Sequence, residues 1–132
     1  MGLNVSFEEA EVIKDRADAF LKNAERLVEE GVQDLAAFNI EQYCQLILKY
    51  KLLVKTGTYP RTHSIIRLIR EFSKTSPDLQ PLLDDDGNMV YLTKIDDAYI
   101  GARYLPRRYE GSEVRSILRF VKEVFKKFVE RV

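Results

Sequence analysis

Apolar residues recur at spacings of three and four along nearly the whole chain, with polar residues between them. Phe7, Ala10, Ile13, Ala17, Phe20, Ala24, Leu27 and Val28 share one helical face. Ser6 and Glu9 have the spacing of a capping box, which places the start of this helix near Phe7. Gly31 supplies the left-handed residue that ends it. A second helix is predicted over residues 34–56, with a seam of Ala36, Ile40, Tyr43, Ile47, Tyr50 and Val54. Leu35, Phe38, Leu46 and Leu53 widen the apolar surface, so this helix is expected to lie between others. Gly57 stops it, and Tyr59-Pro60 forces a turn, because the residue before proline avoids the helical region.

The pattern continues in shorter pieces. Thr62 to Lys74 reads as a third helix, with Ile65, Leu68, Ile69 and Phe72 on its apolar face. Ser76 and Pro77 are suited to opening a short helix, and Leu79, Leu82 and Leu83 would cover the core. Residues 84–88, DDDGN, read as a turn. A fourth helix over residues 89–104 would bury Leu92, Ile95, Tyr99 and Ala102, and Pro106 would end it. Ser112 caps a fifth helix with the stripe Val114, Ile117, Leu118, Val121, Val124, Phe125, Phe128 and Val132. No segment alternates with the period of a strand. The expectation is an all-α antiparallel up-and-down bundle of four to five helices in one domain spanning residues 1–132.

Composition narrows the class. The chain is 45% hydrophobic and 32% charged, and no apolar run approaches the ~20 residues needed to cross a bilayer. Its first residues are acidic where an export signal would be basic, so a cytoplasmic protein with no membrane role is expected. The net charge of zero hides a segregation. Acidic residues outnumber basic ones eight to four in residues 1–30 and six to one in residues 78–102. Basic residues prevail seven to three in residues 31–77 and nine to four in residues 103–132. Such blocks pair within a fold, pair across a dimer, or leave a basic face for an anionic partner.

Common catalytic and cofactor motifs are missing. One histidine and one cysteine rule out a two-His or Cys-rich metal site, and the six glycines form no phosphate loop. Asp84, Asp86 and Asn88 have the start of a calcium loop, but the required Gly and Glu positions hold Met89 and Ile95. No metal and no cofactor are expected. Cys44, on an apolar helix, reads as a buried structural thiol.

Three features remain as candidate binding chemistry. Gln42, Gln45 and Lys49 form a polar stripe on the second helix, which suits a groove that meets a nucleotide or RNA phosphate through Lys49. His63, next to Arg61, reads as a helix-capping residue or as an anion contact. Arg103, Tyr104, Arg107, Arg108 and Tyr109 combine cations with aromatic rings, the pairing that holds phosphates and stacks bases. Arg115, Arg119, Lys122 and Lys126 extend the positive charge along the fifth helix.

Residues 38–68 and 102–106 together resemble the signature of the HEPN domain. In that family a helix with the pattern Phe-x-x-Gln-Gln-x-x-Glu-x-x-x-Lys is followed by Gly, Pro and a Thr-His that opens the next helix. Here Phe38, Gln42, Lys49, Gly57, Pro60 and Thr62-His63 match. Glu41 stands where the first Gln would be, and Gln45 where the Glu would be, so the groove is expected to lack its carboxylate. Arg103-Tyr104-x-Pro106 matches an Arg-Tyr-Pro-like ending of many single-domain members. The resemblance implies a homodimer that binds RNA or a nucleotide. It also implies a partner, a minimal nucleotidyltransferase, in toxin–antitoxin or defence-type modules of bacteria and archaea.

Ribonuclease members carry an Arg followed four to six residues later by His. The Arg holds the scissile phosphate while the His transfers protons near neutral pH. Here no histidine follows residue 63, and Tyr109 occupies one of the expected positions. A tyrosine with a pKa near ~10 is a poor general base at neutral pH. The expectation is therefore a non-catalytic binder using Lys49, Gln42, His63, Arg103, Arg107 and Arg108. One alternative is a degenerate metal-independent ribonuclease using Arg103 with Tyr104 or Tyr109; the other is a structural helical adaptor for a protein partner.

Overall fold

The computed structural model describes residues 2–102, 104 and 108–132, with side chains from residue 7 onward. Among these residues there is helix and no strand. Helices α1 (Gly2–Glu30) and α2 (Gln33–Thr56) form a hairpin. Gly31, at φ 78°, makes the tight turn between them. The Val32 N–H donates to the Leu27 carbonyl at 3.0 Å and closes the α1 terminus. Three shorter helices follow: α3 (Ile65–Ser73), α4 (Gln80–Asp84) and α5 (Asp86–Gly101), with a 3-10 turn at Pro77–Leu79. The chain ends in α6 (Gly111–Phe120), a π turn (Val121–Phe125) and α7 (Lys126–Arg131), which follow one another without a break.

The apolar seam of α2 explains its central place. Ala36, Ile40, Tyr43, Cys44, Ile47 and Leu48 are buried, and α1, α3, α5, α6 and α7 all pack on this helix. Tyr43 meets Phe125 edge-on, with ring centres 6.3 Å apart, and Tyr91 stacks on Phe120 at 4.9 Å. Burial also accounts for the π turn. Phe120, Val121, Phe125 and Val129 are all buried, and the wider turn keeps residues on both sides of it facing the core.

Several boundaries differ from the sequence reading. Helix α1 starts at Gly2, so Ser6 lies inside the helix instead of capping it. Phe7 is 65% exposed, because the buried face of α1 begins at Ala10, which packs with Ile13 against Leu53 near the end of α2. Val54, in the last turn of α2, is exposed as well. The DDDGN segment joins two helices: Asp84 ends α4, and Asp85 Oδ1 accepts the Asn88 N–H at 2.9 Å as the N-cap of α5, which starts at Asp86. Helix α3 starts at Ile65, three residues later than expected, and Ser64 is its cap.

Gly57 ends α2 at φ 84°, with its N–H bonded to the Leu53 carbonyl at 2.9 Å. A side chain there would force a left-handed conformation costing about 1 kcal/mol, so Gly57→Ala is expected to lower Tm by about 4 °C. An unchanged thermal melt would show that the α2 terminus unwinds freely.

Candidate functional site

The polar stripe of α2 turns inward at Glu41, which the sequence reading compared with the family pattern but left out of the stripe. Glu41 is fully buried. Gln42 Nε2 donates to its Oε1 at 2.6 Å, and Gln45 Nε2 donates to its Oε2 at 2.8 Å. Lys49 Nζ then donates to Gln45 Oε1 at 2.8 Å. Carboxylate, amide and ammonium are therefore linked at positions i, i+4 and i+8, one helical turn apart. A carboxylate does stand one turn toward the start of α2, at Glu41, but it is buried and does not line an open groove. The 41, 45, 49 spacing was the available signal. The 42, 45, 49 stripe obscured it.

Burial raises the Glu41 pKa to about 7, although Gln45 and Gln42 donate to the charged form. The charge of Asp96 adds to the rise, and that of Lys49 opposes it. Burial lowers the Lys49 pKa, with the Glu41 charge opposing the change. Lys49 also lies 5.5 Å from the centre of the Tyr59 ring, a cation over an aromatic face. Cys44 is fully buried, and its thiol pKa is raised well above the ordinary range by burial and by the charges of Glu41 and Asp96. It is not a ready nucleophile.

Asp96, on α5, organises the neighbouring junction. Its carboxylate accepts Ser64 Oγ at 2.8 Å, the Ile65 N–H at 2.6 Å and the Ile66 N–H at 3.4 Å. These donors include first-turn N–H groups of α3, which no carbonyl within the helix can satisfy. Burial raises the Asp96 pKa, against the three hydrogen bonds that favour its charge. No local pattern around residue 96 announces this role, since its partners lie about thirty residues upstream.

His63 lies before α3, not in it. It is exposed, and its ring is parallel to that of Tyr99 with centres 4.0 Å apart. Tyr99 and Asp96 lie one turn apart on α5, so both hold the segment that enters α3. The structure thus links Gln42 and Lys49 through Glu41 and Gln45 on α2, and sets His63 against Tyr99 of α5.

The other predicted patch lies at the far end of α5. Arg103 and Arg107 fall outside the described residues, as does Pro106. Tyr104 is 69% exposed, and Arg108 is also exposed. Tyr109 is not: it is 5% exposed and belongs to the main core. Its N–H donates to Asp34 Oδ1 at 3.0 Å. A Cβ at Gly101 would lie 3.1 Å from the Tyr109 hydroxyl, so this glycine makes room for the ring. Asp34 and Glu41 are seven residues apart on α2, about 10 Å along its axis. Both candidate regions therefore lie along the α2–α5 seam, one at its middle and one at its end.

The basic stripe of the last helix is partly engaged. Lys122 pairs with Glu25 of α1 at 3.1 Å, and Lys126 approaches Glu130 at 4.0 Å. Among the described residues no three His, Cys, Asp or Glu side chains stand together as a metal site. No described helix is long and apolar enough to cross a membrane.

An all-α bundle, with a carboxylate–amide–lysine chain on its central helix that is buried at Glu41 and Gln45, and a Tyr-Arg segment after α5, describes the class of protein. Residues 10–132 match the HEPN domain, essentially the whole chain, and the protein belongs to the HEPN family. Among curated proteins none matches this chain.

Proposed function

We propose that this HEPN protein is a non-catalytic, homodimeric binder of RNA or a nucleotide that works as the partner of a minimal nucleotidyltransferase in a toxin–antitoxin or defence-type module. The observation that carries this reading is the contrast between Tyr104 and Tyr109. Tyr104 is 69% exposed and Arg108, four residues on, is exposed as well, whereas the Tyr109 ring is packed in the core. An exposed ring with a cation close by in sequence suits stacking and phosphate contact. A buried phenol whose surroundings are core side chains is poorly placed to exchange protons with RNA. The one histidine, His63, is stacked on Tyr99 at the entry to α3. Ile100, 48% exposed one turn before Tyr104, widens this surface and suits contact with a second copy or the partner.

The test is binding and cleavage of a labelled single-stranded RNA in EDTA at low and high salt. Arg103→Ala and Arg108→Ala are each expected to weaken binding about fivefold at low salt, without cleavage in any sample. Unchanged affinity in both variants would reject this surface. Cleavage lost in Arg103→Ala would move the reading to the degenerate ribonuclease.

A further inference from the structure

The basic stripe of the last helix divides in two once the chain is folded. Lys122 is held by Glu25 at 3.1 Å and Lys126 by Glu130 at 4.0 Å. Arg108, Arg115 and Arg119 are exposed, and among the described residues none of the three makes an ion pair. Glu113, the acid in the first turn of α6, stands 3.8 Å from Lys94 of α5 instead. Arg115 also folds back along its own helix. A Cβ at Gly111 would lie 3.0 Å from Arg115 Nη1 and 3.3 Å from Gln33 Nε2, so guanidinium and amide meet beside the first residue of α6. A cation at that end opposes the helix dipole. Glu110, at the cap position, makes no side-chain cap bond, so the start of α6 holds unpaired positive charge.

These cations lie in order along the chain. Arg108 precedes Gly111 by three residues, at most about 11 Å of backbone. Arg119 lies about 12 Å beyond Gly111 along the helix axis, with Arg115 halfway. A stacked strand advances about 3.4 Å per nucleotide, so about seven nucleotides reach from Arg108 to Arg119.

We propose that Arg115 and Arg119 prolong the surface of Tyr104 and Arg108 into a phosphate track along α6, which makes the ligand a single-stranded RNA of about seven nucleotides or more and not a mononucleotide. The track rests on the reading of the Tyr104 surface as an RNA site. Glu29 of α1 and Glu123 border the cleft beside the two arginines, which sets the strand on the outer ridge of α6 and off the cleft floor. Lys122 and Lys126 already have carboxylate partners and contribute little.

The test is binding of labelled single-stranded RNAs of about twelve and about four nucleotides, longer and shorter than the track, at several salt concentrations. Arg115→Ala combined with Arg119→Ala is expected to weaken the longer RNA about tenfold at low salt. It should also lower the slope of log affinity against log salt by about 1.4, at about 0.7 per phosphate. The shorter RNA, which the Tyr104 surface alone accommodates, should change by less than about twofold. Lys122→Ala combined with Lys126→Ala removes the same charge and should change either RNA by less than about twofold. Equal losses in the two double variants, or an unchanged salt slope in the arginine variant, would overturn the track. Longer RNA weakened by Arg108→Ala but not by the arginine pair would leave the Tyr104 surface standing and remove the track. A wild-type chain that binds neither RNA would remove both.

Discussion

Asp96→Ala is expected to destabilise the protein by about 3 kcal/mol, lowering Tm by about 10 °C. The carboxylate accepts three hydrogen bonds, two of them at 2.6 and 2.8 Å. Removing it leaves the Ile65 N–H and the Ser64 hydroxyl in a partly buried junction without that acceptor. Hydrogen bonds to a charged group contribute about 1.5–3 kcal/mol each, and a lost N-cap costs about 1 kcal/mol. The three bonds share one carboxylate and are not additive, so the total lies well below their sum. Ser64 Oγ also accepts the Arg67 N–H at 3.2 Å, and that second cap keeps α3 from unravelling in the variant. Asp96→Asn retains one acceptor oxygen and should lose about half as much. Urea titration at neutral pH measures both. A loss below about 1 kcal/mol in Asp96→Ala would mean that the junction behaves as a solvated surface cap.

Glu41→Gln is expected to act in the opposite direction at alkaline pH, stabilising the protein by about 2 kcal/mol near pH 8. The Glu41 pKa rises from 4.5 in the free side chain to about 7 in the fold, chiefly through burial. The folded state therefore holds this proton more tightly than the unfolded chain. The stability it contributes is complete below about pH 4.5 and is lost as pH rises through about 7. At about 1.4 kcal/mol per unit the full loss is about 3 kcal/mol. Glutamine removes that dependence but offers one acceptor where Glu41 offers two, to Gln42 and Gln45. A mismatched amide costs about 1 kcal/mol, which leaves the net gain stated. Denaturation from about pH 5 to about pH 8 should show a falling contribution in the wild-type chain that is missing in the variant. A variant less stable than wild type near pH 8 would mean that the two amide donors outweigh desolvation, making Glu41 an ordinary ionised acid.

Hydrogen-bond geometry alters what the resemblance suggested. A Glu-for-Gln and Gln-for-Glu exchange within one helix looks like the loss of a charged group from a groove. In three dimensions positions 41 and 45 are one turn apart on the same side of α2, so the exchange preserves a carboxylate–amide pair and reverses its order. Lys49 then meets the amide oxygen instead of the carboxylate. The link between Lys49 and Glu41 is weakened by the intervening group, which fits a buried acid whose pKa stays near neutrality.

The sequence by itself determined the helices, their stops at Gly31 and Gly57, the apolar face of each, and the family. Those properties are local: a period of three and four residues, a glycine in a left-handed turn and a proline after a helix end are all set within a few residues. Only the tertiary structure decided which polar groups are buried and what they meet. Phe7 and Val54 have the right period, yet are exposed. Tyr109 reads like a member of an exposed basic patch, yet Gly101 and Asp34 draw it into the core. Asp96 looks like any acid on an amphipathic helix, and it caps α3 because folding brings α5 against the α2–α3 junction. Burial and hydrogen-bond partnership depend on residues distant in the chain, which no short-range pattern encodes.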